Sequence, residues 1–132
     1  MLRARDAIDR GYATPLDIPA LARIAGASEA HFIRTFKATF GETPYRYLQR
    51  RRVERSMFLL RRSRELSVTE VCLEVGFVSL GSFSRTFKEI VGVTPSEYRE
   101  LAAPGVDALP SCFSMRWMRP SSFGEDSGAG AG

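Results

Sequence analysis

The sequence predicts an all-α fold: two helix-turn-helix subdomains joined by a long linker helix, about seven helices in all, with a mostly irregular C-terminal tail. An internal repeat is the first reason. Phe32-Ile33-Arg34-Thr35-Phe36-Lys37 returns as Phe83-Ser84-Arg85-Thr86-Phe87-Lys88 at an offset of 51 residues, and Gly41-Glu42-Thr43-Pro44 with Tyr47 returns as Gly92-Val93-Thr94-Pro95 with Tyr98. Upstream the offset is 50, so Ala22 and Gly26 answer to Cys72 and Gly76, and the second copy has one extra residue after its glycine. A repeat of this size is one supersecondary unit used twice. The second reason is that each copy holds two helical stretches joined by a glycine. The third is a series of helix-start signals at matching places in both copies.

The elements follow in order. Residues 2–10 read as a helix, with Leu2, Ala4, Ala7 and Ile8 apolar and Gly11 as its stop. Asp17 is an N-cap between staple residues Leu16 and Leu21, opening a short helix from 18 to about 25 with Leu21, Ala22 and Ile24 inward. Gly26 supplies the turn. Ser28 caps the next helix, which runs to about Phe40 and aligns Phe32, Phe36 and Phe40 on one face. Arg34 and Lys37 lie on another face, and Gly41 ends the helix.

Thr43 and Pro44 open the longest helix, which runs to about Arg62; proline at its first position forfeits no hydrogen bond. Leu48, Val53, Met57 and Leu60 form its apolar stripe, with Tyr45 a further candidate. Arg50, Arg51, Arg52 and Arg55 form a basic band, and Arg61, Arg62 and Arg64 suit the dipole at its C-terminal end. Ser67-Val68-Thr69-Glu70 is a capping box stapled by Leu66 and Val71, and its helix buries Val71, Cys72 and Val75. Gly76 turns the chain. Ser79 caps a helix with Phe83, Phe87 and Ile90 or Val91 inward, ended by Gly92. Thr94-Pro95-Ser96-Glu97 caps a last helix to about Leu101. From Ala102 prolines, serines and a Gly-Ala ending take over, although Phe113, Met115 and Trp117 alternate like a strand.

The chain has 132 residues, 44% of them hydrophobic, and a net charge of +4. That charge favours an anionic partner. Lys37 and Lys88 are the only lysines, so the basic charge is nearly all arginine, which suits bidentate contacts to phosphate or guanine. Two cysteines, Cys72 and Cys112, make no disulfide framework, and no run approaches a membrane span. The charged N-terminus is unlike a signal peptide. The expectation is a reduced, cytoplasmic protein with no membrane partner. One histidine, two distant cysteines and no phosphate loop or nucleophile elbow argue against an enzyme. A zinc site from His31, Cys72 and Cys112 requires the tail to fold back and is disfavoured; no metal or other cofactor is expected.

Taken alone, a phenylalanine row is core and a basic helix face is only solvated. The same Arg-Thr-Phe-Lys on both second helices points instead to paired DNA-reading helices. A helical protein-interaction module is the alternative.

The motifs resemble the DNA-binding region of the AraC/XylS family of bacterial transcription regulators. The residues that carry the likeness are Cys72, Gly76-Phe77, Phe83-Ser84-Arg85-Thr86-Phe87-Lys88, Gly92-Val93-Thr94-Pro95 and Tyr98-Arg99. In the linker they are Tyr47-Leu48 and Arg52-Val53-Glu54-Arg55. The match covers about residues 1–101. Cys72 and Ser56 stand where alanine is common in the family, and Gly81 and Ser82 where serine and tyrosine are frequent. The resemblance implies one domain over 1–101, with a first unit about 1–42, a linker helix about 44–63 and a second unit about 66–101. The composition of the tail, 102–132, predicts partial disorder, with 111–118 a candidate for an extended segment. Met1 directly before the first helix favours a stand-alone regulator over a piece of an effector-sensing one.

By carry-over, the base readers are Glu29, Ala30, Ile33 and Arg34 in the first unit and Leu80, Gly81, Ser82, Ser84 and Arg85 in the second. Arg34 and Arg85 suit guanine. With no asparagine, and Gln49 the only glutamine, the usual adenine pairing is missing from both helices. Ala30 and Ile33 are left to meet thymine methyls. His31, Lys37, Lys88, Arg50, Arg51 and Arg52 are the phosphate candidates. Intramolecular ion pairs, for instance with Glu54, are the alternative for the linker arginines. A linker of about twenty residues spans roughly 30 Å, against the ~34 Å between major-groove faces on one side of the duplex. One chain is therefore expected to hold an asymmetric site as a monomer. The family also suggests activation through RNA polymerase, with repression equally open from the sequence.

Overall fold

The computed structural model describes residues 1–102. The suggested extended segment at 111–118, and Cys112 with it, lie outside them. The described residues form α1 (Leu2–Arg10), α2 (Ile18–Ala25), α3 (Glu29–Phe40), α4 (Pro44–Arg62), α5 (Val68–Glu74), α6 (Leu80–Val91) and α7 (Pro95–Leu101), with no strand among them. They divide between Arg51 and Arg52 into two compact units. The boundary falls inside α4, so that helix closes the first unit and opens the second.

In the first unit, side-chain oxygens start three helices. The Asp17 carboxylate accepts from the Ala20 N–H at 3.0 Å, the Ser28 hydroxyl from the His31 N–H at 3.2 Å and the Thr43 hydroxyl from the Arg46 N–H at 3.2 Å. Each bond satisfies a donor that a helix N-terminus otherwise leaves open. The core joins Ala4 and Ile8 of α1, Leu21 and Ala22 of α2, Phe32 and Phe36 of α3, and Tyr47 and Leu48 of α4. Phe32 and Phe36 meet edge to face at 5.7 Å, and Phe36 meets Tyr47 in the same way at 5.7 Å. The Tyr47 hydroxyl donates to Asp9 Oδ1 at 2.6 Å, and Arg51 Nε donates to the same oxygen at 3.1 Å, tying α1 to α4. Burial first, and Asp9 second, push the Tyr47 phenol well above its ordinary range.

The second unit repeats this construction. Ser67 and Thr94 each form a complete capping box, with Glu70 and Glu97. Phe83 meets Phe87 at 5.7 Å, and Phe87 meets Tyr98 at 5.7 Å, both edge to face. Val53, Leu60, Val71, Val75, Ile90 and Val91 are buried in this unit as well. Cys72 is buried too, its thiol 3.5 Å from the Ser79 carbonyl, and burial raises its pKa. Ser56, where the family favours alanine, is also buried and spends its hydroxyl on the Val53 carbonyl at 2.7 Å. α7 is short, and Arg99 anchors it. That guanidinium donates to three carbonyls, Leu66 at 2.6 Å, Leu60 at 3.1 Å and Ser63 at 3.4 Å. It thereby fills acceptors at and beyond the end of α4.

Three details depart from expectation. Ile24 is 42% exposed rather than inward. At ~100° per residue, Ile18, Leu21, Ala22 and Ala25 make one stripe, and Ile24 falls on its flank. Tyr45 does not join the core, being 57% exposed. It precedes the buried Tyr47 by two positions, and such pairs point away from each other on a helix; its hydroxyl instead accepts from Gln49 Nε2 at 3.1 Å. Gly11 closes α1 at φ −113, without the left-handed turn found at Gly26 and Gly41.

Two tests follow from these contacts. Arg99→Ala is expected to cost about 1–3 kcal/mol in urea unfolding, since charged donors leave three carbonyls; Arg99→Lys recovers only part, because lysine cannot reach all three. The Thr94 backbone N–H and hydroxyl hold the Glu97 carboxyl below its ordinary range. A depressed folded pKa means the capping stabilisation is present above the normal glutamate range and lost as pH falls through it. Acid unfolding of Glu97→Gln should therefore lose part of the pH dependence of the parent chain.

Candidate nucleic-acid interface

Both second helices are set by the same local device. In the first unit Gly26 takes φ 71, and its N–H donates to Arg23 O at 3.1 Å while the Ala27 N–H donates to Ala22 O at 3.0 Å. In the second, Gly76 takes φ 102, with Gly76 N–H to Leu73 O at 3.1 Å and Phe77 N–H to Cys72 O at 3.1 Å. A left-handed glycine after a helix allows the tight reversal that a Cβ opposes. Ser28 and Ser79 then start α3 and α6.

With the phenylalanines turned inward, the opposite face of each helix is free. Glu29, Ala30, Ile33 and Arg34 are all exposed on α3. On α6, Leu80, Gly81 and Arg85 are exposed, whereas Ser82 and Ser84 are half-buried. Arg34 and Arg85 make no hydrogen bond or ion pair with the described residues. Lys37 and Lys88, three positions on from each arginine, are exposed as well. Each unit thus presents an arginine and a lysine one turn apart beside apolar and small side chains. His31 is exposed, with Nε2 3.3 Å from the Thr35 hydroxyl.

The linker arginines sit differently. Arg50 donates through Nε at 2.9 Å and through a terminal nitrogen at 2.7 Å to Glu42 Oε2; its side chain is 15% exposed and that of Glu42 3%. Arg51 pairs with Asp9 at 3.1 Å and keeps 41% exposure. Arg52 is buried, its guanidinium 5.7 Å from the centre of the Phe77 ring. Arg50 and Arg52 are thus held inside the protein, Arg51 only at its surface, and the acids that pair Arg50 and Arg51 lie outside α4. Two apolar residues without a role in the sequence reading are exposed: Val78, at 93%, and Leu73, at 59%. The signal for Val78 was the one-residue change of offset between the copies.

Paired helix-turn-helix units with basic outer faces define the class. A family model described as a helix-turn-helix domain matches residues 21–101. An HTH-type transcriptional regulator of Haemophilus influenzae is 40% identical over 83 residues, which is 63% of this chain and 28% of that protein. Among solved structures, a probable AraC family transcriptional regulator from Rhodopseudomonas palustris superposes with a TM-score of 0.72 at 27% identity, covering 78% of this chain and 96% of that one. The DNA-binding domain of AdpA, a global transcriptional factor seen in complex with a target DNA, superposes with a TM-score of 0.69 at 28% identity, covering 75% and 88%. The chain belongs to the AraC-type helix-turn-helix family. It spans under a third of the length of its curated relatives, 28% of the Haemophilus protein and 12% of a Staphylococcus aureus regulator.

The contrast between arginines is testable by unfolding. Arg50→Ala strands the buried Glu42 carboxylate and should cost on the order of 3 kcal/mol. Arg34→Ala and Arg85→Ala remove side chains with no partner among the described residues and should stay within about 0.5 kcal/mol of the parent.

Proposed function

We propose that this chain is the DNA-binding part of a sequence-specific transcriptional regulator, and that residues 1–101 form its DNA-binding domain. The observation that carries this reading is the pair Arg34 and Arg85, each exposed and without a partner among the described residues, at the same place in its unit. A bidentate guanidinium matches O6 and N7 of guanine in the major groove. Ala30 and Ile33 meet thymine methyls beside Arg34, while Lys37, Lys88 and His31 take phosphates. Among the linker arginines, Arg51 alone keeps enough exposure for a phosphate; Arg50 and Arg52 serve the fold.

Two readers on one chain suit an asymmetric site and need no second copy of the protein. The partners on this reading are double-stranded DNA and, through it, RNA polymerase. Phosphate contacts make affinity fall steeply with salt. Fluorescence anisotropy with a duplex enriched from a random pool should show that fall between 50 and 200 mM salt, about tenfold or more for several contacts. Arg34→Ala should cost about 1–3 kcal/mol of binding and relax preference at one position. Salt-independent binding, or an unchanged preference at every position, contradicts the proposal.

A further inference from the structure

Val78 is the residue that the second unit has and the first lacks. The turn hydrogen bonds match Ala27 to Phe77, and the helix caps match Ser28 to Ser79, so Val78 is the insertion between them. It is 93% exposed, and Leu80, at the start of α6, is 43% exposed. Burial in this fold therefore accounts for neither side chain in full. Gly81 comes next. A Cβ built there meets nothing within 4 Å, and its φ is not left-handed. Neither packing nor backbone geometry asks for glycine at that position, and within a helix it weakens the element relative to alanine.

Val78 in the turn before α6 and Leu80 at the start of that helix are thus exposed apolar side chains next to Gly81, on the chain leading into outward Arg85 and Lys88. The one polar side chain in the first turn of α6, Ser82, is half-buried. Among the four bases, thymine alone presents an apolar group, its C5-methyl, in the major groove. We propose that Val78 and Leu80 read thymine methyls, and that Gly81 lets the backbone of α6 come close enough for them to do so. This rests on the DNA-reading function proposed above and assigns to the second unit a chemistry that its arginine does not supply. Continuity with that basic face favours DNA over a protein partner as the occupant.

The test uses the whole chain and a duplex enriched from random sequence, with each thymine replaced in turn by deoxyuridine. Deoxyuridine keeps every hydrogen bond and loses only the methyl. At one or more thymines the parent chain should bind about fourfold more weakly, the worth of one buried methyl-sized group. Val78→Ser and Leu80→Ser should each erase that difference, Val78→Ser without lowering the melting temperature, and Gly81→Ala should raise the melting temperature while weakening binding. A deoxyuridine series with no effect, or serine variants that keep the penalty, overturns the proposal. Serine variants that bind as the parent does would assign Val78 and Leu80 to a protein partner and overturn it as well. Gly81→Ala with unchanged binding removes the close-approach role. A parent chain with no sequence preference overturns the proposed function itself, whereas preference without a methyl effect overturns only this inference.

Discussion

Each unit is held by a run of three rings. Phe32, Phe36 and Tyr47 in one, and Phe83, Phe87 and Tyr98 in the other, meet edge to face with every centroid spacing at 5.7 Å. The first two rings come from the outward-reading helix and the third from the helix after it. Such pairs add about 0.5–1.5 kcal/mol beyond their buried area. Their geometric consequence matters more. Two phenylalanines four apart commit one face of α3 or α6 to the core, and the side chains left over must point away. Arg34 and Arg85 are exposed because of where the rings are.

Around that shared design the units are stabilised by different means. The first has a helix of its own, α1, fixed to α4 through Asp9, Tyr47 and Arg51. It also buries Glu42 against Arg50, where the second unit has Val93. The second unit closes on the short α7 and relies on the carbonyl contacts of Arg99. The reading helices differ too. α3 begins directly after a two-residue turn and carries Glu29 and His31, whereas α6 follows a longer turn and begins with apolar and small residues. Matched cores therefore support two dissimilar outward faces on α3 and α6.

Much of this was legible in the sequence because its signals are local. Caps at Asp17, Ser28, Ser67, Ser79 and Thr94 act over three residues, and the phenylalanine rows have a helical period. Among the described residues, α2 to α7 follow from such signals, whereas α1, which has no side-chain cap, follows only from the spacing of Ala4, Ala7 and Ile8. What escaped depended on contacts distant in sequence. Ile24 and Tyr45 are apolar enough for a core, but neighbouring helices choose which face is covered. Periodicity places Arg50 and Arg51 in a basic band, yet their acids are Glu42 and Asp9, outside that helix. Arg99 was visible as part of a motif, although the carbonyls it fills lie more than thirty residues away. Exposure of Arg34 and Arg85 followed from periodicity, whereas Ser82 and Ser84 proved half-buried, and the only sequence signal for the solvent-facing Val78 was the extra residue in the second turn.

The central claim is that one chain carries two outward arginine faces, each set by its own ring core, and that both engage DNA. Hydroxyl-radical footprinting on an enriched duplex tests it most directly. The account predicts two protected stretches, with Arg34→Ala weakening one and Arg85→Ala the other. A single stretch weakened equally by both changes, or protection that neither change alters, would contradict it.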